Sequence, residues 1–257
     1  MEQSRVAPLP TSVFVLVQLI FLILSENTYS QTTSNTSLIR RYFSQAATAK
    51  ANQDYQLAIS LINKVLSIDG KNADAYGFKA ECEIFTDMEA ALVDINRSIG
   101  LNPNFAESYH QRGIIERLRN NYTNALDDYS TAIKKAKNSE DLSSYYFSRA
   151  TLREDLLDHT GALKDCNLCL ELNGNNNWPG YNLRGSIKLN LGDFRGALED
   201  CNKSIEIAPG ADWSAYYTRG IAQAKLGNTD NACTDLGKAS ELTQSHEVLD
   251  AIKKYCP

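Results

Sequence analysis

Bulky and small residues recur along the chain with a helical spacing nested inside a longer period. Tyr42, Tyr76, Tyr109, Tyr146, Tyr181 and Tyr216 follow one another at steps of 34, 33, 37, 35 and 35 residues. Four residues after each stands a small one: Ala46, Ala80, Gly113, Ala150, Gly185 and Gly220. That separation puts both on one helix face, a large side chain beside a notch that a second helix can enter. An alanine follows sixteen residues after the tyrosine at Ala58, Ala125, Ala162, Ala197 and Ala232, and fifteen after at Ala91. Four further on come Ile62, Ile95, Tyr129, Cys166, Cys201 and Leu236, which predicts a second amphipathic helix in every unit. Turn-forming stretches such as Leu191-Gly192-Asp193 and Leu226-Gly227-Asn228 separate the two helices, and Gly70, Asn102-Pro103, Gly174 and Ala208-Pro209 close units.

A charge pattern runs in phase with the apolar one. Three residues after the tyrosine stands a base, at Lys79, Arg112, Arg149, Arg184 and Arg219, and three after the alanine an acid, at Asp94, Asp128, Asp165, Asp200 and Asp235. The first unit has Gln45 and Leu61 there and lacks both. Joint presence and joint loss predict an ion pair, either between the two helices of a unit or between neighbouring units. As surface pairs these would contribute about 0–1 kcal/mol each and would fix register more than stability. After the sixth unit, Val248, Leu249, Ile252 and Tyr255 form a stripe at helical spacing with Ser245 placed as its cap. Such a helix would cover the open end of a stacked array.

The tyrosine, small residue, alanine and closing proline resemble the tetratricopeptide repeat family, over residues 39 to about 242. The resemblance implies an all-α fold, a right-handed α-solenoid of six helix hairpins at residues 39–72, 73–105, 106–142, 143–177, 178–212 and 213–244, with a capping helix at 245–257. The additional residues around Lys137-Asn138-Ser139-Glu140-Asp141 depart from the pattern and would alter stacking locally. In the family the first helices line a concave face that holds peptides or partner helices. Here the face next to the tyrosines changes from unit to unit, with Phe43, Gly77, His110, Phe147, Asn182 and Tyr217 at one position. Phe43, Phe78, His110, Phe147 and Tyr217 are the expected partner contacts. The lysine and asparagine set with which chaperone-binding members clamp a terminal carboxylate is not reproduced. The resemblance implies a non-catalytic protein-interaction scaffold binding a protein or peptide; the alternative is a structural or assembly component of an envelope complex using its convex face or ends.

Val13 to Leu24 is apolar apart from Gln18, follows Arg5, and precedes the small residues Thr28 and Ser30. It is shorter than the roughly 20 residues a membrane-spanning helix requires. Residues 1–30 therefore read as a secretory signal peptide cleaved before Gln31, with an uncleaved anchor as the alternative, and 31–38 as a polar flexible lead-in. The expected location is secreted or periplasmic, at a cell envelope, with no membrane span left after cleavage. Asn35, Asn96, Asn121 and Asn202 head glycosylation sequons, of which Asn35 and Asn121 are sterically natural.

Composition narrows the chemistry. A net charge of −5 with no basic tract excludes a strong nucleic-acid footprint. In an exported protein the six cysteines can pair. Cys233 and Cys256 lie nearly equally far on either side of the turn at Thr243 to Ser245. Antiparallel packing would bring them to the roughly 5.5 Å between α-carbons that a disulfide needs. Cys166-x-x-Cys169 has redox or half-zinc spacing, but both residues, like Cys201, fall on the inner face of a second helix, so buried core thiols are favoured. His246-Glu247 begins like a zinc-protease helix, yet Asp250 stands where the second histidine would be. Without a phosphate loop or nucleophile elbow, neither enzyme activity nor a cofactor or metal is expected. Trp178 and Trp213 leave carbohydrate binding open.

Overall fold

The computed structural model describes residues 34–173 and 176–256, and every regular element among them is a helix. The expected signal segment lies outside the described residues. The chain divides into two compact units, one ending at Leu101 and the other beginning at Asn102.

The first unit holds α1 (residues 34–51), α2 (Tyr55–Ile68), α3 (Ala73–Glu83) and α4 (Met88–Leu101). Residues 34–38, expected as a flexible lead-in, are helical: the half-buried Leu38, Ile39, Tyr42 and Phe43 continue the apolar face of α1 toward its start. Ala46, Ala58, Ile62 and Val65 are fully buried at the centre of this unit, with Tyr42 and Phe43 packed against them. Asp54 and Asn72 cap α2 and α3 by accepting the Leu57 and Ala75 amides.

The second unit contains α5 (Ala106–Leu118), α6 (Tyr122–Lys135), α7 (Ser139–Asp155), α8 (His159–Asn173), α9 (Trp178–Asn190), α10 (Phe194–Ile207), α11 (Trp213–Lys225), α12 (Thr229–Leu242) and α13 (His246–Tyr255). The notch at each small residue is filled by the side chain four after the alanine. A Cβ on Gly113 would lie 2.6 Å from the Tyr129 ring, and one on Gly185 2.7 Å from Cys201 Sγ. Tyr129, Cys166, Cys201 and Leu236 are all essentially fully buried. The additional residues near 138 become an extra turn of helix: α7 has 17 residues where α5, α9 and α11 have 13, and Asn138 caps it through the Asp141 amide. The last helix, α13, packs Val248 and Ile252 against Tyr216, Trp213 and Tyr217. Ser245 occupies its N-cap position, but its side chain does not make the capping hydrogen bond expected of it.

The charge pattern resolves into ion pairs inside hairpins. Lys79 meets Asp94 at 2.6 Å, and Arg112, Arg149, Arg184 and Arg219 reach Asp128, Asp165, Asp200 and Asp235 at 2.7–2.8 Å. Each arginine is bidentate, donating through Nε and Nη2, and each stacks over the tyrosine three residues before it at 5.6–5.7 Å. The aspartates are buried, so these are not the weak surface pairs that sequence spacing suggests. The half-buried repeat tyrosine shields the pair while serving as a cation–π partner.

Two local features carry predictions. In five of the six hairpins the turn between helices holds a left-handed residue, supplied by Gly192 and Gly227 but also by Gln53, Asn120 and Leu157, whereas the shorter α3–α4 turn has none. Leu157, at φ 63° and 75 % exposed, gains nothing from burial. Leu157→Gly should stabilise the second unit by about 0.5–1 kcal/mol in urea unfolding, the left-handed cost relieved less glycine's extra freedom when unfolded. In the first unit, burial and the neighbouring Asp94 carboxylate push the Glu83 carboxyl up from 4.5 to about 7. The folded form then holds this proton more tightly than the unfolded chain, so the group's contribution is complete below 4.5 and is lost as pH rises through about 7. The melting temperature of the first unit should fall across that window, and Glu83→Gln should flatten the fall; an unchanged slope in the variant would assign it to other groups.

Candidate functional site

The unrepeated side chains of the second unit converge on one groove. Its volume is about 870 Å³, and it runs along α7, α9 and α11, with Phe194 of α10 and Glu247 of α13 at its edges. Phe147, Trp178, Phe194, Trp213 and Tyr217 supply aromatic surface, and Leu183, Leu189 and Ile221 aliphatic surface. The position after the repeat tyrosine provides Phe147, Asn182 and Tyr217, and the position four beyond provides Thr151, Ser186 and Ile221. Helix geometry explains the division: the tyrosine and the small residue face the second helix, and the next residue is rotated onto the opposite side.

A polar network stiffens the wall. Asn182 Nδ2 donates to Asp212 Oδ2 at 2.8 Å and to Ser214 Oγ at 2.6 Å, and Ser214 Oγ donates to the same Asp212 oxygen. Asp212 is also the N-cap of α11, accepting the Ser214 amide. Burial of its ring, followed by a hydrogen bond to Glu247, pushes the Tyr217 hydroxyl up to about 12. Glu154 accepts from Asn190 and pairs with His159, and Asp155 pairs with Arg117.

Of the five expected contacts, the structure places Phe147 and Tyr217 in this groove. His110 is not available to a partner. It is 8 % exposed, its Nε2 lies 2.8 Å from Ser148 Oγ, and its ring packs on Tyr145 at 4.7 Å. The neighbouring helix α7 covers it, so the residue after the tyrosine is here an interhelix contact. Phe43 and Phe78, in the first unit, meet edge to face at 6.1 Å and pack against the core, with Lys50 over the Phe78 ring. In the sequence Trp178 and Trp213 stand out only as carbohydrate candidates, Glu247 only within the incomplete zinc-protease pattern, and Asp212 not at all. The signal for the tryptophans was present, since both open a first helix three residues before the repeat tyrosine.

Cys233 and Cys256 are brought together, with α-carbons 5.5 Å apart and sulfurs at bonding distance. Cys82, Cys166, Cys169 and Cys201 are buried free thiols. Burial pushes the Cys166 and Cys201 thiols up to about 12, the opposite of an activated redox thiol. Among the described residues no group of three or more metal-capable side chains forms, and no helix is long and apolar enough to cross a membrane.

Residues 179–210 and 214–246 match the Tetratricopeptide repeat family. The SGT1 homolog of Bos taurus is 29% identical over 106 residues, covering 41% of this chain and 31% of that protein. Hsp70-Hsp90 organizing protein of Triticum aestivum is 28% identical over 93 residues, covering 35% of this chain and 16% of its own length. The matches thus span less than a third of the length of these relatives. Among solved structures, PilF of Pseudomonas aeruginosa superposes with a TM-score of 0.78 at 13% identity, covering 86% of this chain and 99% of that one. YrrB, a tetratricopeptide-repeat protein with an unusual peptide-binding site, gives 0.60 at 23% identity, covering 75% and 97%. Two stretches of the second unit thus match the tetratricopeptide repeat, and the chain's all-helical fold is shared with the tetratricopeptide-repeat protein YrrB.

Proposed function

We propose that this protein is a non-catalytic adaptor that holds an extended segment of a partner protein in the groove of the second unit. One observation carries the proposal: side chains that hairpin packing leaves free to vary collect in a single aromatic-lined groove, large enough for several peptide residues. Its rigid first-helix walls favour binding of a preformed kind, in which little ordering cost falls on the scaffold. The similarity to an organizing protein and to a peptide-binding neighbour supports the same class of function.

A photo-crosslinking residue at Ser186 should capture a discrete partner in cells, and Phe147→Glu should abolish the capture while leaving the helical content intact. Capture that survives Phe147→Glu but is lost on changing α13 would favour an assembly component working through its end. The proposal extends to an exported location, supported by the apolar segment Val13 to Leu24 and by the juxtaposed Cys233 and Cys256. Protein recovered from its native compartment should then show Cys233 and Cys256 joined in one disulfide-linked peptide pair. Six free thiols in that material would refute the exported location.

A further inference from the structure

We propose, building on the groove reading above, that the segment seated there is cationic, with an arginine or lysine side chain held against Trp213 and Tyr217 between the carboxylates of Asp212 and Glu247. The lining carries four carboxylates, Glu154, Asp155, Asp212 and Glu247, against the single base Lys225. Two of them are already engaged, Glu154 by the His159 ring and by Asn190, and Asp155 by the guanidinium of Arg117. Asp212 and Glu247 meet no cation: among the described residues their partners are the neutral donors Asn182, Ser214 and Tyr217. These two carboxylates line the groove together with the Trp213 and Tyr217 rings, which meet edge to face at 5.9 Å.

Carboxylates beside accessible aromatic faces are the complement of a guanidinium or ammonium, which gains from the ring quadrupole and from charge-assisted hydrogen bonds together. An independent observation at the same wall points to a ligand with donors. Asn182 is 8 % exposed, and with its Nδ2 engaged twice its Oδ1 is buried without a hydrogen-bond partner. A buried acceptor left unpaired is costly, and an N–H from an occupant would relieve it once the Asn182 amide turns toward the groove that the residue lines. An acidic or carboxylate-terminated segment would meet the reverse, an unmatched negative wall.

The chain's two tryptophans, Trp178 and Trp213, both line the groove, so intrinsic fluorescence reports its occupancy directly. The probes are an unstructured arginine–alanine–leucine peptide and its glutamate-for-arginine counterpart, titrated into the full chain at low and at physiological salt. The arginine peptide should bind at least about tenfold more tightly than the glutamate peptide, and added salt should weaken it. Asp212→Asn, which retains a capping side chain, and Glu247→Gln should each weaken the arginine peptide about fivefold, with Glu89→Gln in the other unit as a control that changes nothing. Equal affinity for the two peptides, preference for the acidic one, or no response to the arginine peptide would overturn the cationic assignment. Capture through Ser186 that remains sensitive to Phe147→Glu would in those cases leave the adaptor reading standing. Loss of that capture, with arginine peptide still bound, would do the converse.

Discussion

Arg219→Met is expected to destabilise the second unit by about 3 kcal/mol, because it strands a buried carboxylate. Asp235 is 5 % exposed, and Arg219 is its cationic partner through two parallel hydrogen bonds. Truncating the base removes the attraction while the desolvation of the acid remains. The same substitution at Arg149 should cost clearly less, since Arg153 Nη1 also lies 2.7 Å from Asp165 and still compensates it. Replacing both partners, Arg219→Met with Asp235→Leu, should recover to within about 1 kcal/mol of the parent, since an apolar pair incurs no desolvation penalty. Urea unfolding followed by tryptophan fluorescence distinguishes these outcomes, with Trp213 on the same helix as Arg219. Equal losses at Arg149 and Arg219 would mean that these carboxylates are effectively solvated and that the pairs contribute as surface pairs do.

That contrast marks the limit of what the repeat period conveys. Spacing of sixteen residues between Arg219 and Asp235 fixes which residues can meet across a hairpin, because helix and turn lengths are nearly constant. It says nothing of burial, which depends on the tyrosine lying over the pair. The same limit explains His110. Its place after the repeat tyrosine is correctly on the variable face, but whether that face meets solvent or another helix depends on the next hairpin. There α7 supplies Tyr145 and Ser148, and Tyr145 also donates to Glu107 at 3.0 Å beside the histidine. At Phe147 and Tyr217 the neighbouring first helices instead leave a groove. Its acidic corner was illegible because Asp212 and Glu247 are far apart in sequence and are joined only when α13 folds back against α11.

Gly113→Ala should be the most damaging of the glycine-to-alanine changes at the helix crossings. In a helix interior this substitution ordinarily stabilises by about 1 kcal/mol, so any net loss must come from packing. At Gly113 the added Cβ would stand 2.6 and 2.7 Å from two carbons of the Tyr129 ring and 3.3 Å from the Ala125 carbonyl. Tyr129 is 1 % exposed, with its ring pressed from another side by His110 at 5.7 Å, so it cannot swing away. Overpacking of this kind costs about 1–3 kcal/mol, which less the propensity gain leaves an expected net loss of about 1–2 kcal/mol against a ring that cannot yield. At Gly220 the nearest atoms are Leu236 Cγ at 3.0 Å and the Ala232 carbonyl at 3.2 Å. A leucine can yield by a small rotation where a trapped ring cannot, so Gly220→Ala should lie close to neutral. Combining Gly113→Ala with Tyr129→Leu, which installs the residue found at the equivalent position of the last hairpin, should restore most of the loss. If the double variant is no more stable than Gly113→Ala alone, contact with the ring is not the cause, and close approach of the α6 backbone at Ala125 sets the requirement for glycine.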